Sequence, residues 1–202
     1  MDIMRNWVVI LLLFLGSCQS GENFSILGNL PDKTYNGEII YIVPLDNPIK
    51  SYVDSTIVTN EVIAFESIVT KPEICVIRAK PVLRYNLEEL LIVREPGNLT
   101  VKLDKRSSVR GTPLNDSLQY WKDRKMRYDF VNAELIKRFH ETSDEALKQR
   151  LKTKQDSLMA LSNKFHFNFV LRNKGNIVGQ FVQNIMSGSF TEEQKQMLNS
   201  LP

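Results

Sequence analysis

Very few residues in this chain of 202 could act as a nucleophile, a redox thiol or an imidazole base. The cysteines are Cys18 and Cys75, and the histidines are His140 and His166. They form no Cys-x-x-Cys pair, and no two of them have the helical spacing of metal ligands. The sequence also has no Gly-x-Ser-x-Gly elbow and no Walker-type phosphate loop. We therefore expect no cofactor, no metal site and no catalytic residue, in a protein that is not an enzyme.

Cys18 follows a segment that could make its thiol a site of lipid attachment. Residues 7–15 form an uncharged apolar run. This run is too short to cross a bilayer but typical of the core of a signal peptide. The sequence Leu15-Gly16-Ser17-Cys18 then resembles a bacterial lipobox, in which the thiol is diacylated and the chain is cut before the cysteine. The resemblance implies cleavage between Ser17 and Cys18. An ordinary signal peptide, or an apolar helix with an incidental cysteine, is the alternative.

The lipobox resemblance predicts where the chain resides. Removal of the signal peptide, residues 1–17, would leave the small polar residues 18–23 as a tether. Acyl chains such as palmitate on Cys18 would anchor the protein firmly, because each buried methylene contributes about 0.8 kcal/mol. We expect a lipid-anchored protein of the cell envelope, most simply of the outer membrane, on either its periplasmic or its external face.

Cys75 and the two histidines have less distinctive surroundings. Cys75 lies in the alternating apolar segment 74–78, which predicts a buried thiol in a β-strand; a reactive or intermolecular thiol is the alternative. His166 lies between two phenylalanines, where a packed imidazole is the expectation. His140 and His166 fall on different predicted helices, so the sequence gives no reason to bring them together.

The overall composition is that of an ordinary globular domain, with 43% hydrophobic and 24% charged residues. This apolar content argues against intrinsic disorder. The 26 Lys+Arg and 23 Asp+Glu leave a net charge of +3, which is too small to indicate nucleic-acid binding. Locally basic segments occur at residues 122–127 and 148–152. They are either solvated helix faces or sites that attract anionic lipid headgroups.

From residue 24 to about residue 105 the pattern is that of short β-strands. We predict strands at residues 24–30, 37–43, 52–58, 62–69, 74–78, 89–93 and 99–103. The turn Glu95-Pro96-Gly97-Asn98 has proline second and glycine third, as a type II turn requires. Six to eight strands with no helix between them predict an antiparallel β-sandwich or open barrel over residues 24–111.

After Gly111 the apolar spacing becomes helical. Apolar residues from Leu114 to Leu135 recur on one helix face, and Pro113 suits its first turn. A cap at residues 142–145 opens a second helix that stops near residues 173–175. A third helix is predicted at 177–186, and Thr191 to Gln194 has the pattern of a capping box. The predicted fold class is α+β, with a helical hairpin or bundle over residues 112–202.

Several segments of the β-region match a known pattern. The segments are Phe24-Ser25-Ile26-Leu27-Gly28, Asp54-Ser55-Thr56, Glu95-Pro96-Gly97 and Gly111-Thr112-Pro113-Leu114-Asn115. With them the β-region resembles an uncharacterised N-terminal domain of bacterial envelope proteins. Glu61 is a departure, since the family often has glycine there. In that family the domain usually precedes a thioredoxin-like (AhpC/TSA-type) thiol:disulfide oxidoreductase domain. The cysteine pair of that domain has no counterpart in this sequence, so the resemblance implies an accessory or recognition role.

These observations predict a membrane-anchored envelope lipoprotein that acts as a non-catalytic binding or accessory module. Its partners would be the membrane and a protein or small ligand held by the β-domain, and not a nucleic acid. One alternative is an accessory component of an envelope thiol-disulfide system, in which Cys75 or His140 works with a separate enzyme. Another is a mainly structural protein that uses its basic helices at the membrane surface.

Overall fold

The computed structural model describes residues 21–46, 53–79 and 89–200. Ser17, Cys18, the predicted signal segment and residues 18–20 of the predicted tether lie outside the described residues. Eight strands precede four α-helices, which confirms the predicted α+β fold class. Among the described residues, no helix combines the length and apolar character needed to cross a membrane.

The strands form two four-stranded sheets that face each other. They are β1 (Glu22–Asn29), β2 (Ile39–Pro44), β3 (Asp54–Ile57), β4 (Val62–Val69), β5 (Glu73–Ala79), β6 (Leu90–Arg94), β7 (Gly97–Lys102) and β8 (Ser108–Arg110). The strand orders are β4-β1-β7-β8 and β3-β2-β5-β6. The pairing is antiparallel except between β1 and β7, which is parallel. The chain crosses from β6 in one sheet to β7 in the other, and β7 therefore enters beside β1 in the same direction.

Strand alternation builds the sandwich interior. Successive side chains of a strand point to opposite faces, so every second residue is directed between the sheets. The largest buried side chains there are Phe24, Ile26, Ile40, Ile42, Ile63, Ile77, Leu90, Ile92 and Leu99. Each such side chain stabilises the fold by about 1.5–3 kcal/mol relative to its exposure to water.

Two turns adopt conformations that favour glycine. Gly97 has a φ of +122°, the positive value that the predicted turn requires. Glu61 in the β3–β4 turn has a φ of +58°. A glycine at position 61, as in the resembled family, would enter this left-handed region at lower cost.

The helices are α1 (Pro113–Glu141), α2 (Glu145–Asn173), α3 (Ile177–Met186) and α4 (Glu192–Ser200). α1 and α2 contain 29 residues each and form a hairpin about 42 Å long. The predicted cap of α2 is confirmed, because the Asp144 carboxylate accepts from two backbone N–H groups. The predicted capping box is also present, with Thr191 and Gln194 bonded reciprocally at 2.9 and 3.2 Å.

A second core joins the helices to the outer face of one sheet. Ile74 of β5 and Val93 of β6 pack there against Leu118, Trp121 and Val178. Beyond this base the hairpin extends as two helices alone, and between residues 126 and 160 only Leu151 is buried. The molecule thus consists of two sheets, a helical layer, and a two-helix projection.

Candidate functional site

The carboxylate of Glu95 caps the start of α1. Thr112 is the N-cap residue of α1, but its own side chain makes no capping bond. Glu95 Oε1, from the β6–β7 turn, accepts instead from Thr112 Oγ1 at 2.5 Å and from the N–H groups of Leu114 and Asn115 at 3.0 and 3.1 Å. This position is favourable, because a helix N-terminus has unpaired N–H groups and partial positive charge.

Side chains of α1 also cover one edge strand of each sheet. Asn115 accepts from the Val93 N–H at 2.8 Å and donates to the Val93 carbonyl at 2.6 Å. Among the strands that the structure describes, β6 is the last of its sheet, so these backbone groups have no strand partner there. The edge strand is thereby protected from pairing with another chain.

Two further polar side chains follow Asn115 along the same helix face. Lys122 Nζ donates to the Leu91 carbonyl of β6 at 2.9 Å. Gln119 Oε1 accepts from the Val109 N–H of β8, the edge strand of the other sheet, at 3.2 Å. Burial lowers the pKa of Lys122 to about 8. Two segments of the family resemblance, 95–97 and 111–115, therefore join the sandwich to the helix.

The imidazole of His166 is buried at the base of the hairpin, with 2% of its surface exposed. Its Nδ1 accepts a hydrogen bond from Trp121 Nε1 at 3.0 Å. Burial first, and the nearby charge of Lys125 second, lower the pKa of His166 to about 4. The ring is therefore neutral at pH 7, with its proton on Nε2 and its lone pair occupied by Trp121. His166 can donate a hydrogen bond but has no free basic nitrogen.

A cavity of about 420 Å³ lies beside His166, between α1, α2 and the segment after α3. Its polar lining residues include Lys125, Asp129, Asn132 and Asn163. Most of these already have partners: Lys125 pairs with Asp129 at 2.7 Å, and Asn132 accepts from Gln155 at 3.0 Å. The Asn163 side chain bonds to the Ser189 carbonyl and to Gln194. The arrangement suits the binding of a hydrogen-bond acceptor better than proton abstraction.

The two histidines lie at different ends of the hairpin. His140 is exposed in the last turn of α1, with its ring 5.7 Å from that of Phe139. His166 packs against Trp121 at the base. Among the described residues, no group of three or more His, Cys, Asp or Glu side chains could hold a metal ion.

The β-domain carries an open depression of about 560 Å³ beside the β7–β8 turn. Lys105 and Arg106 contribute to its lining together with a Lys102–Asp104 ion pair at 2.6 Å. The hydrogen bond from Lys102 lowers the pKa of Asp104. Because cations and carboxylates are mixed here, the depression has no clear preference for a charged ligand.

Cys75 is fully buried in the sandwich core, at 0% exposure. Burial is the main cause that raises the pKa of its thiol to about 12, and the charge of Glu73 adds to it. A thiol must ionise to act as a nucleophile.

We expect the Cys75 thiol to react with a disulfide reagent such as 5,5′-dithiobis(2-nitrobenzoate) only after unfolding. At pH 8, the native rate should be at least about 100-fold below that in 6 M guanidinium chloride, because the buried thiol is neither ionised nor accessible. Absorbance at 412 nm measures the rate of the thiol reaction, and the Cys75→Ala protein serves as the blank. Rapid native labelling would show that Cys75 is an accessible thiol.

Comparison with known families supports the predicted uncharacterised domain in the β-region and does not address its association with an oxidoreductase. Residues 24–118 match the model of a family described as Domain of unknown function (DUF4369). The match ends inside α1, just beyond Asn115 and its contact with the β6 edge. No curated protein and no solved structure matches the chain.

Proposed function

We propose that this chain, whose residues 24–118 match the DUF4369 family, is a lipid-anchored envelope protein that binds a partner without catalysing a reaction. The observation that carries the binding role is the two-helix projection. Between residues 126 and 160 only Leu151 is buried, while Met126 and Phe130 are 49% and 67% exposed. A projection that adds so little to the core of the fold is well suited to contact another molecule.

The position of β1 supports an anchor at the end of the molecule opposite the hairpin tip. Phe24 of β1 pairs with Gly97, and a Cβ on Gly97 would lie 2.8 Å from Thr112 at the start of α1. The chain therefore enters the sandwich beside the beginning of α1. Since the helix is about 42 Å long, a short tether at Cys18 would hold the sandwich near the membrane and present the tip away from it.

The lipid anchor is tested by labelling cells with an alkyne analogue of palmitate. We expect the native protein to incorporate the label and to have the mass of residues 18–202, 185 residues (202 − 17), plus its acyl chains. Cys18→Ser should abolish labelling, because the acyl groups have no other attachment site in a lipobox-type signal. Cys75→Ala is the matched control and should label normally. A native protein that retains residues 1–17, or lacks the label, would disprove the anchor.

The accessory role in a thiol-disulfide system receives no support from the positions of its two candidate residues. Cys75 lies in the core with a raised pKa. His140 is exposed near the hairpin tip, whereas Cys75 belongs to the sandwich core. We therefore retain the binding role as the proposal.

A further inference from the structure

One long face of the α1–α2 hairpin concentrates positive charge. Its seven exposed cations are Arg124, Arg127, Arg138, Arg150, Lys154, Lys164 and Arg172. Within each helix they recur at intervals that keep them on one side of the hairpin. Glu134 is the carboxylate that interrupts the row between Arg127 and Arg138. The near-neutral total charge of the chain conceals this local excess.

The cations of this basic face differ from several other helical cations in forming no ion pair. In the part of the chain that the structure describes, none of the seven forms an ion pair. Four lysines elsewhere on the helices do: the pairs are Lys125–Asp129 at 2.7 Å, Lys137–Glu141 at 3.9 Å, Lys148–Glu145 at 2.7 Å and Lys195–Glu192 at 2.7 Å. The seven cations of the basic face thus outnumber the one carboxylate, Glu134, that interrupts the row.

A mainly apolar groove of about 320 Å³ lies between α1 and α2, each of which carries a row of these cations, and Thr153, Lys154 and Ser157 contribute to its lining. Val131 and Leu135 of α1 line it together with Leu158 and Leu161 of α2. Leu161 is 59% exposed. Toward the base, the same side carries the ring of Tyr120, 5.9 Å from that of Phe165, with the Arg124 guanidinium 5.7 Å from the Phe165 ring.

Shape and charge together select the occupant of the groove. A second copy of this chain would place the same cations against each other in a two-fold interface. A lipid surface is flat, whereas this groove is concave and lies between two helices. The ridge of a third helix fits such a groove, and carboxylates on both of its flanks would meet the two rows of cations.

We propose that the basic face binds an amphipathic helix of a partner protein, with apolar residues at helical spacing and Asp or Glu on both sides. The face extends over 15 residues from Arg124 to Arg138, a rise of about 21 Å, so it would accommodate about four turns of the partner. This inference rests on the proposed binding function and is independent of the lipid anchor.

The test measures fluorescence anisotropy of a labelled synthetic helix with the detergent-solubilised full chain. The peptide has about 18 residues, with leucine at every third or fourth position and glutamate on the flanks. Replacing its glutamates with glutamine, or its leucines with serine, should each weaken binding at least about tenfold, because charge and apolar contact both contribute. Failure of the parent peptide to bind would overturn the proposal, while palmitate labelling of Cys18 would be unaffected.

Charge-reversed variants locate the binding surface. Arg127→Glu/Arg138→Glu/Lys154→Glu on the basic face should weaken binding at least about tenfold. The control, Lys105→Glu/Lys137→Glu/Lys152→Glu, makes the same change of net charge elsewhere on exposed positions and should stay within about twofold. Equal losses in the two variants would overturn the proposal, because binding would then follow net charge and not this face.

Photo-crosslinking in intact cells distinguishes the possible occupants. Benzoylphenylalanine at position 161 reports on the groove, and the same group at position 152 is the control on another side of α2. A crosslinked peptide from another protein, acidic and with apolar residues at helical spacing, is the expected product at position 161 alone. A phospholipid adduct, a peptide of this chain, or no difference from position 152 would overturn the proposal.

Discussion

Replacing Glu95 with alanine is expected to lower the free energy of unfolding by about 3 kcal/mol. Glu95 Oε1 accepts hydrogen bonds from a hydroxyl, two backbone N–H groups and the Asn115 amide, and the residue is only 7% exposed. Each buried donor left without a partner costs about 1–3 kcal/mol, and the loss of an N-terminal cap costs about 1 kcal/mol. Water that enters the vacated space will satisfy some of these donors. The expected loss of stability is therefore smaller than the sum of the individual costs.

Urea unfolding followed by circular dichroism measures this loss. For a chain of this size, 3 kcal/mol corresponds to a decrease in Tm of about 6–12 °C. Glu66→Ala is the matched control, since Glu66 is exposed on β4, and it should change stability by less than about 0.5 kcal/mol. Glu95→Gln should fall between the two, because it keeps an oxygen acceptor but loses the charge. Equal stability of the Glu95→Ala and Glu66→Ala proteins would show that Glu95 does not hold the helix to the sandwich.

Local patterns in the sequence predicted most elements of the fold. β4 and α3 have the bounds predicted for them, 62–69 and 177–186, because each has a regular apolar pattern that ends at polar or glycine-containing turns. β8 was not predicted, since three residues provide too little alternation to recognise. The parallel pairing of β1 with β7 was also missed, because strand order depends on contacts between distant segments.

The polar contacts at the junction of sheet and helix were the least predictable feature. Asn115 was recognised only within a segment of the family resemblance, and Lys122 only within a basic segment that was either solvated or lipid-facing. Both contact β6, with partners 22 and 31 residues away in the sequence. The sequence nevertheless contained a signal. Asn115, Gln119 and Lys122 lie on the same side of α1 as the buried Leu118 and Trp121. Polar residues at such positions indicate backbone groups that need partners.

The basic segments show the same limit of local reasoning. Charge runs along a helix were predicted to be solvated faces mixed with acids. In the structure the acids accompany only some of the cations: Lys125 and Lys148 are paired, whereas Arg127 and Arg150 are not. A count of charges along the sequence cannot separate the paired cations from the unpaired ones. The two groups lie on different faces of the helices but alternate along the sequence.

Acidification from pH 7 to pH 4 is expected to reduce the stability of the fold by about 3 kcal/mol through His166 alone. The pKa of His166 is lowered from 6.5 to about 4 by its burial. Between these values the unfolded chain binds a proton that the folded chain does not, so stability decreases as pH falls through this window. Neutral His166 makes its full contribution to the stability of the fold above pH 6.5. A difference of 2.5 pKa units corresponds to about 3 kcal/mol, at 1.36 kcal/mol for each unit.

His166→Asn isolates this effect. The asparagine Oδ1 can take the place of imidazole Nδ1 as acceptor for Trp121 Nε1, and asparagine does not titrate. Because carboxylates titrate in both proteins, their contributions cancel in the difference between native and variant stability. Relative to the His166→Asn protein, the native protein should lose about 3 kcal/mol of stability between pH 7 and pH 4. His140→Asn, at the exposed histidine, is the control for the substitution itself and should change the stability at pH 7 by less than about 0.5 kcal/mol. Parallel pH profiles for the native and His166→Asn proteins would mean that His166 has the same pKa in the folded and unfolded chains, and that its burial does not disfavour its protonation.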